Sequence, residues 1–185
     1  MPKIAKWTGF VVDVEADGPI PGDYSMIEIG VVKLDRALDK TFHATVAPIS
    51  MYYSEDAMRS IGTSRKEILS SERGDPVSIM GALQKWVLKT QNIGTRPMFF
   101  SDNNGFDWMF YKWYIEHAGI PCPFGHTSRN IADLFRGLQK DVTANFKKLR
   151  DTKHTHNPVD DAIGNAEALI KFVDQYGLEG LNIGD

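Results

Sequence analysis

The sequence predicts an α/β fold in which a mixed β-sheet is flanked by helices. Three apolar, β-branched runs follow one another in the first 47 residues, and a short, wholly apolar run stands near the middle of the chain. Segments with helical spacing of apolar residues fill most of the remainder. Strands followed by alternating helix and strand are typical of this fold class. The chain has 185 residues and is 42% hydrophobic, so we expect a single domain over residues 1–185.

The first three predicted strands lie close together along the chain. They cover residues 8–15, 26–35 and 40–47, and a loop rich in Gly and Pro separates the first two. Because such short connections suit hairpins, the three strands should form an antiparallel meander. Residues 97–101 form a short apolar run that suits a strand buried on both faces, as in the parallel part of a sheet.

Helices are predicted in the rest of the chain. The last of them should begin with Asn157 as its N-cap and Pro158 at its first helical position. A Gly-Ile-Pro segment at 119–121 should end the predicted helix 106–118. The predicted helices cover residues 54–70 in short pieces, 77–90, 106–118, 131–139 and 157–176.

Composition excludes several classes of protein. The single cysteine, Cys122, allows no internal disulfide and no CxxC metal pair, and it is expected to be a loop residue. We find no apolar run that suits a signal peptide or a membrane span, so we expect a soluble, cytoplasmic protein without membrane contacts. The net charge of −3 argues against a protein that coats long stretches of nucleic acid. It is compatible with an enzyme that holds only the end of a strand, where bound cations meet the phosphate.

Two carboxylates stand two residues apart at the end of the first predicted strand. Asp13 and Glu15 should share one face of that strand, because side chains alternate along a strand. Two like charges at a covered sheet face are costly unless a positive charge compensates them. Oxygen ligands favour Mg²⁺ or Mn²⁺ over zinc in that role. The alternative is that the two acids are simply polar residues at a strand end.

A second acid and a histidine–acid pair follow later in the chain. Asp107 stands at the start of a predicted helix after the apolar strand, a common place for α/β sites, although the helix dipole alone would also favour an acid there. His156 precedes the last helix and Asp161 lies in its first turns, so both can face one cleft. Asp160 is the competing acid and is expected to cap the helix. His154 and His156 could instead be part of a zinc site, but no further His or Cys is suitably placed.

Taken together, the three clusters carry a resemblance to a known family. They read Asp13-Val14-Glu15, then Asn103 to Phe106-Asp107, then His156 and Asp161 with four residues between them. This order resembles the DEDDh exonucleases of the ribonuclease H-like fold, whose pattern is DxE, NxxFD and HxxxxD. The resemblance covers nearly the whole chain, and segments 13–30 and 101–114 look closer to the subgroup of ribonuclease AS-like and phage DexA-like exonucleases.

The resemblance implies a cofactor, a reaction and a set of catalytic residues. Two divalent ions, Mg²⁺ or Mn²⁺, would be held by Asp13, Glu15, Asp107 and Asp161, with Asp13 bridging them. His156 would be the general base, since a histidine can take up a proton at neutral pH. The substrate would be the 3′ end of single-stranded RNA or DNA, and the product a nucleoside monophosphate. Homodimers are common in the family, so the resemblance also leaves a homodimer open.

Substrate contacts are predicted around these acids. Two positions depart from the family pattern: Ala16-Asp17-Gly18 replaces a frequent Thr-Gly, and Asp102 replaces the usual His before the second motif. Aromatic side chains near Asp107 offer surface for base stacking, although most aromatic residues at helical spacing pack inward. The basic residues Lys147, Lys148 and Arg150 could hold phosphates or be a solvated face. The residues predicted to contact substrate are Ala16, Met26, Asn103, Phe106 and Trp108.

Two other functions remain open at this point. The first is a ribonuclease H-type enzyme that cuts internal bonds, which a circular or end-blocked substrate would distinguish. The second is a catalytically inactive nucleic-acid-binding module. The intact set of acids argues against the second, because clustered carboxylates repel phosphate in a protein that only binds.

Overall fold

The computed structural model describes residues 6–184. Its strands are β1 (Trp7–Ala16), β2 (Met26–Lys33), β3 (Thr41–Thr45), β4 (Arg96–Ser101) and β5 (Ser128–Asn130). Its helices are α1 (Glu55–Ser60), α2 (Arg65–Ser70), α3 (Pro76–Thr90), α4 (Asn104–His117), α5 (Ile131–Gln139) and α6 (Pro158–Tyr176), with a 3₁₀ turn at Phe146–Leu149. Among the described helices none is long and apolar enough to cross a membrane.

The five strands form one mixed sheet in the order β3-β2-β1-β4-β5. The β1–β2 and β2–β3 pairs are antiparallel, while β1–β4 and β4–β5 are parallel. The predicted meander with added parallel strands is therefore confirmed. Strand β1 lies at the centre, where the antiparallel and parallel halves meet.

Helices cover both faces of the sheet, and alternate side chains of β1 enter two separate cores. Phe10, Val12 and Val14 pack on one face with α3 and α4. Val11 packs on the other face with α5 and α6. By the same alternation Asp13 and Glu15 belong to the α6 face, close to the edge where the strand ends.

One glycine allows α6 to start directly against the sheet. Gly30 of β2 is the cross-strand neighbour of Asp13. A Cβ at this position would lie 2.2 Å from the carbonyl carbon of Pro158 and 2.4 Å from its oxygen. Only a residue without a side chain permits this approach, because such distances are far inside van der Waals contact. The first turn of α6 is therefore held above Asp13.

The predicted elements are confirmed in kind, with differences at their ends. The predicted second strand ends at Lys33 rather than at residue 35, and the third is shortened to Thr41–Thr45. The side chain of Asn157 accepts hydrogen bonds from the backbone N–H groups of Val159 and Asp160, and Pro158 is the first helical residue, as predicted. Strand β5 and the 3₁₀ turn were not predicted, since segments of three or four residues are too short to show a periodicity that identifies them.

Candidate active site

Three of the predicted carboxylates converge at the end of β1. Asp13 and Glu15 project from β1, and Asp161 projects from the first turn of α6. One oxygen from each lies within 4.8 Å of the others. Asp161 is only 1% exposed, so its charge has little contact with water. Three acids held this close at a covered sheet edge form a site suited to a divalent cation.

The fourth carboxylate, Asp107, reaches the same strand from the opposite layer. The parallel pairing of β1 with β4 ends at Val11 and Phe100. The backbone N–H of Val14, beyond that point, donates to Oδ1 of Asp107 over 3.2 Å. The second oxygen, Oδ2, is buried and has no hydrogen-bond partner among the described residues. A buried carboxylate oxygen without a hydrogen-bond partner, next to other acids, is suited to bind a cation.

Burial and mutual repulsion raise the pKa values of these acids. The pKa of Asp13 rises to about 7 because the side chain is desolvated and faces the charge of Asp161. The pKa of Glu15 rises to about 8 because of burial and the charges of Asp13 and Asp161. Burial and the charge of Asp13 raise the pKa of Asp107 well above its ordinary value. A bound cation would reverse this balance, since it favours the ionised forms.

Two histidines stand over the carboxylates. Nδ1 of His156 lies 3.8 Å from Oε1 of Glu15, and the ring is 40% exposed. Nδ1 of His154 is hydrogen-bonded to Oδ1 of Asp161 at 2.7 Å. The two rings pack edge to face, with their centroids 4.2 Å apart. In the sequence His154 is a competitor of His156 or part of a zinc pair, and no sequence pattern indicates its hydrogen bond with Asp161.

The backbone of His156 adopts an unusual conformation that fixes this arrangement. Its φ of +58° lies in the left-handed region, which costs an ordinary residue roughly 1–2 kcal/mol. In this conformation the backbone N–H of His156 donates to Oδ2 of Asp161 over 3.1 Å. Asp161 is thus held by a backbone donor and by His154, while Asp160 accepts a hydrogen bond from the Thr155 hydroxyl and points elsewhere. The backbone N–H of the N-cap residue Asn157 donates to the Thr155 hydroxyl over 3.2 Å and not to Asp160, so the predicted capping role of Asp160 is wrong.

A buried arginine supplies positive charge on the other side of the cluster. The side chain of Arg150 is 7% exposed, and its guanidinium lies 3.7 Å from Asp161 and 3.6 Å from Asp102. It also donates to the side-chain oxygen of Asn165. Asp102 is paired in turn with Lys147 at 3.1 Å. Asp102, which stands where the DEDDh pattern usually has a histidine, is therefore paired with two basic side chains, Lys147 and Arg150.

A cleft of about 420 Å³ opens beside Glu15. Three predicted substrate-binding residues, Ala16, Asn103 and Phe106, line it, together with residues of α1 and of the loop before it. The sequence gives no signal for the α1 wall, because its lining residues belong to no recognisable motif: Ser54, Ala57, Ser60 and Ile61.

A buried ion pair ties this wall to the end of β1. Asp17 is 0% exposed, and its Oδ2 accepts a hydrogen bond from Arg65 over 2.6 Å. The backbone carbonyl of Asp17 also accepts from the N–H of Ser54 over 2.7 Å. Asp17 and Arg65 are 48 residues apart, so no local sequence signal indicates that they pair, and the pairing was not predicted.

Two predicted substrate-binding residues lie elsewhere. Met26 is fully buried in the core, and its N–H donates to the hydroxyl of Tyr114. Trp108 packs edge to face on Phe99, with centroids 5.0 Å apart, and is not among the residues that line the cleft. The structure gives both side chains a packing role, so contact with a nucleotide stays a prediction without support from this geometry.

Comparison with known proteins finds nucleases among the similar proteins. No family model matches the chain. Over 174 residues the chain is 29% identical to the 3′-5′ DNA exonuclease Cap18 of Escherichia coli, and the match covers 89% of this chain and 90% of that protein.

Solved structures share the fold at lower identity. The nuclease domain of 3′hExo, a DEDDh family member bound to rAMP, matches with a TM-score of 0.71 and 19% identity, covering 100% of this chain and 99% of that chain. E. coli exonuclease I in complex with a dT13 oligonucleotide matches with a TM-score of 0.70 and 14% identity, covering 92% of this chain and 41% of that chain. The ribonuclease H-like fold of the sheet and its helices is thereby confirmed. With the DxE, NxxFD and HxxxxD residues gathered at one sheet edge, the chain is similar in sequence to a 3′-5′ DNA exonuclease and in fold to the nuclease domain of a DEDDh family member.

Proposed function

We propose that this exonuclease removes nucleotides from the 3′ end of single-stranded DNA, that two divalent ions support the reaction, and that His156 is the general base. The observation that carries the proposal is the convergence of Asp13, Glu15 and Asp161 within 4.8 Å. Asp107 lies against the same strand with one buried oxygen unpartnered among the described residues. Such a group of acids is expensive to keep near phosphate unless cations stand between them.

The residues present fit two divalent ions. Asp13, Glu15 and Asp161 would hold the first, and Asp13 and Asp107 would hold the second. All donors are carboxylate oxygens, which suits Mg²⁺ or Mn²⁺ better than a softer metal. When bound, the pair supplies positive charge to the attacking and leaving oxygens and to the phosphate between them.

The chain's own groups would move the proton and hold the ligands in place. His156 presents Nδ1 on the side of Glu15, and its ring is partly open to solvent, so this atom can accept the proton of an attacking water and pass it on. His154 is a second candidate because it is nearer to a carboxylate. It is hydrogen-bonded to Asp161, however, and therefore better suited to orient that ligand than to receive a proton.

The cleft beside Glu15 would take the terminal nucleotide. Its volume of about 420 Å³ falls in the range of roughly 300–1,000 Å³ that is common for small-molecule sites. Phe106 offers an aromatic surface to a base, and stacking tolerates any sequence. Ala16 and Asn103 would contact the nucleotide around it. The released product would be a nucleoside monophosphate.

DNA is proposed as the substrate on the basis of the related protein. The relative with 29% identity over nearly its whole length is named a DNA exonuclease. A structural neighbour bound to rAMP is less similar, at 19% identity. Placement in the ribonuclease AS-like and DexA-like subgroup, a homodimer, a cytoplasmic location and a single-domain protein stay predictions.

Degradation of end-labelled strands tests the proposal. The protein is incubated with 5′-labelled single-stranded DNA, the RNA of the same sequence and a circular DNA, with Mn²⁺ and then with excess chelator. We expect a ladder of 5′-labelled products from linear DNA, a weaker ladder from RNA, no cutting of the circle and no products with chelator. Cleavage of the circle would favour an internal nuclease, and intact linear strands under all conditions would favour a module that only binds.

A further inference from the structure

A second cleft of about 490 Å³ lies next to the first and is not explained by binding of the terminal nucleotide. It is formed by the start of α4, by α5 and by the segment before and within the 3₁₀ turn. Its wall is mainly polar and includes Asn103, Asn130, Arg136, Thr143, Asn145 and Lys147. Asn103 also lines the cleft beside Glu15, so the two clefts share a wall at this residue.

The second cleft lies in the most basic part of the chain. Residues 129–153 contain seven Lys or Arg residues and three Asp, a net charge of +4, whereas the whole chain carries −3. This segment supplies α5, the 3₁₀ turn and most of the lining of the second cleft. Positive charge concentrated on one side of an otherwise acidic protein is the electrostatic pattern expected for a phosphate backbone.

Several polar groups in this cleft are available to a ligand. Asn103 occupies the N-cap position of α4, but its side chain makes no capping hydrogen bond. Arg136 is paired with Asp133 at 2.9 Å on the surface, where both side chains are well exposed. Such a pair is worth little, so the guanidinium can turn to a phosphate at low cost. The side chain of Lys147 is 58% exposed, and its ammonium is paired at 3.1 Å with Asp102, an acid of the same wall. Because an ammonium has three donors, it can contact a phosphate and keep this pair.

We infer that the second cleft binds the sugar–phosphate backbone of the nucleotides that precede the terminal one, with Arg136 and Lys147 contacting phosphates and Asn103 lying at the junction. This inference rests on the proposed 3′–5′ exonuclease function. A strand whose last nucleotide fills the first cleft would continue past Asn103 into the second. The contact would be independent of base identity, because it involves phosphates and not base edges.

The length and salt dependence of hydrolysis test this inference. Values of kcat/KM are measured for dT8 and for the dinucleotide dT2, which is too short to fill the second cleft, between 50 and 300 mM salt. The variants are Arg136→Gln and Lys147→Gln, with Lys89→Gln as the matched control on the exposed face of α3. Arg136 makes no ion pair with the four site carboxylates, so its variant separates the second cleft from the metal site.

Each lost phosphate contact has a defined expected effect. For single strands each phosphate contact adds about 0.7 to the steepness with which log affinity falls against log salt concentration. Relative to 1 M salt, one contact therefore strengthens binding about fivefold at 0.1 M salt. Arg136→Gln should therefore lower kcat/KM for dT8 about fivefold at 0.1 M salt, reduce the salt slope by about 0.7, and affect dT2 much less. Lys89→Gln should keep the wild-type slope.

The outcomes separate this inference from the proposed function. Equal losses on dT8 and dT2 in Arg136→Gln, or no change on dT8 in either variant, would overturn the second cleft as a backbone site. If the wild-type protein hydrolyses neither substrate in the presence of Mn²⁺, the exonuclease proposal itself fails. Hydrolysis of both by the wild type, with a selective loss on dT8 in the variants, supports both statements.

Discussion

Replacement of Gly30 by alanine should disturb the site without touching any carboxylate. The added Cβ would lie 2.2 Å from the carbonyl carbon of Pro158, at the first residue of α6. Ordinary van der Waals contact between such atoms begins near 3.4 Å. The start of α6 must therefore retreat by about 1 Å, and it carries Asp161 with it, while Asp13 stays on β1 opposite residue 30.

Two magnitudes follow from this displacement. Overpacking of a well-filled contact costs about 1–3 kcal/mol, so the free energy of unfolding should fall by that amount. A misplacement of about 1 Å in a catalytic group can reduce the rate about 10²-fold, so hydrolysis should fall far more than the folded fraction does. The carboxylate oxygens now within 4.8 Å would no longer surround one ion.

The assay combines urea denaturation with Mn²⁺-dependent hydrolysis of a labelled single strand, at a temperature where the variant is folded. Gly137→Ala is the matched control, because a Cβ at that helical position meets nothing within 4 Å. The control should be as stable as the wild type or slightly more so, and fully active. Wild-type stability and activity in Gly30→Ala would refute the claim that the contact between α6 and β2 positions the acids.

Three further predictions concern the histidines and the acids. His156→Ala should lower kcat about 10²-fold or more, with Mn²⁺ affinity largely retained, whereas His154→Ala should lower kcat less than about tenfold. Single-turnover hydrolysis measures both, and the reverse order of the two losses would make His154 the base. His156→Gly should be about 1 kcal/mol more stable to urea than His156→Ala, because glycine accepts a φ of +58° without strain, and equal stabilities would contradict this. In the metal-free protein the pKa values of Asp13, about 7, and Glu15, about 8, exceed their ordinary values of 3.8 and 4.5, so the folded chain holds protons that the unfolded chain releases. The free energy of unfolding should therefore fall as pH rises from about 4 to about 8. Calorimetry should show proton release on Mn²⁺ binding and a Kd for Mn²⁺ at least about tenfold weaker at pH 6 than at pH 8. A Kd independent of pH would contradict the raised pKa values.

The sheet could be predicted from sequence because its signals are local. Runs of β-branched residues such as 8–15 mark strands, and the short connections between the first three leave the meander as the simplest arrangement. Strand β5 could not be predicted, because Ser128, Arg129 and Asn130 are paired only through their backbone with β4. Their side chains carry no strand preference.

The four carboxylates proposed as metal ligands could be predicted for a different reason. Asp13 and Glu15 are two apart on a strand, and Asp107 and Asp161 lie in the first turns of helices, which makes each a possible site residue. Their order along the chain resembles the pattern of a known family, and this resemblance joins them into one predicted site. Contacts between distant residues leave no such signal. The burial of Arg150 against Asp161 depends on how α6 packs on the preceding segment, which no local pattern encodes.

A similar limit explains the predicted substrate contacts. Ala16, Asn103 and Phe106 adjoin motif residues and line the cleft, since neighbours in sequence stay neighbours in space. Met26 is fully buried and pairs with Ala16 just beyond the point where the register of β1 and β2 shifts, with Ile27 as the extra residue of β2, and no local sequence pattern indicates this irregularity.

The number of Mn²⁺ ions bound per chain tests the central claim most directly. Electron paramagnetic resonance at pH 8 can count them in the wild type, in Asp13→Asn and in Asp160→Asn, whose acid is adjacent to Asp161 but points away from the cluster. We expect two ions in the wild type and in Asp160→Asn, and loss of at least one in Asp13→Asn together with loss of hydrolysis. Two ions and full activity in Asp13→Asn would show that the carboxylates at the end of β1 do not form the metal site.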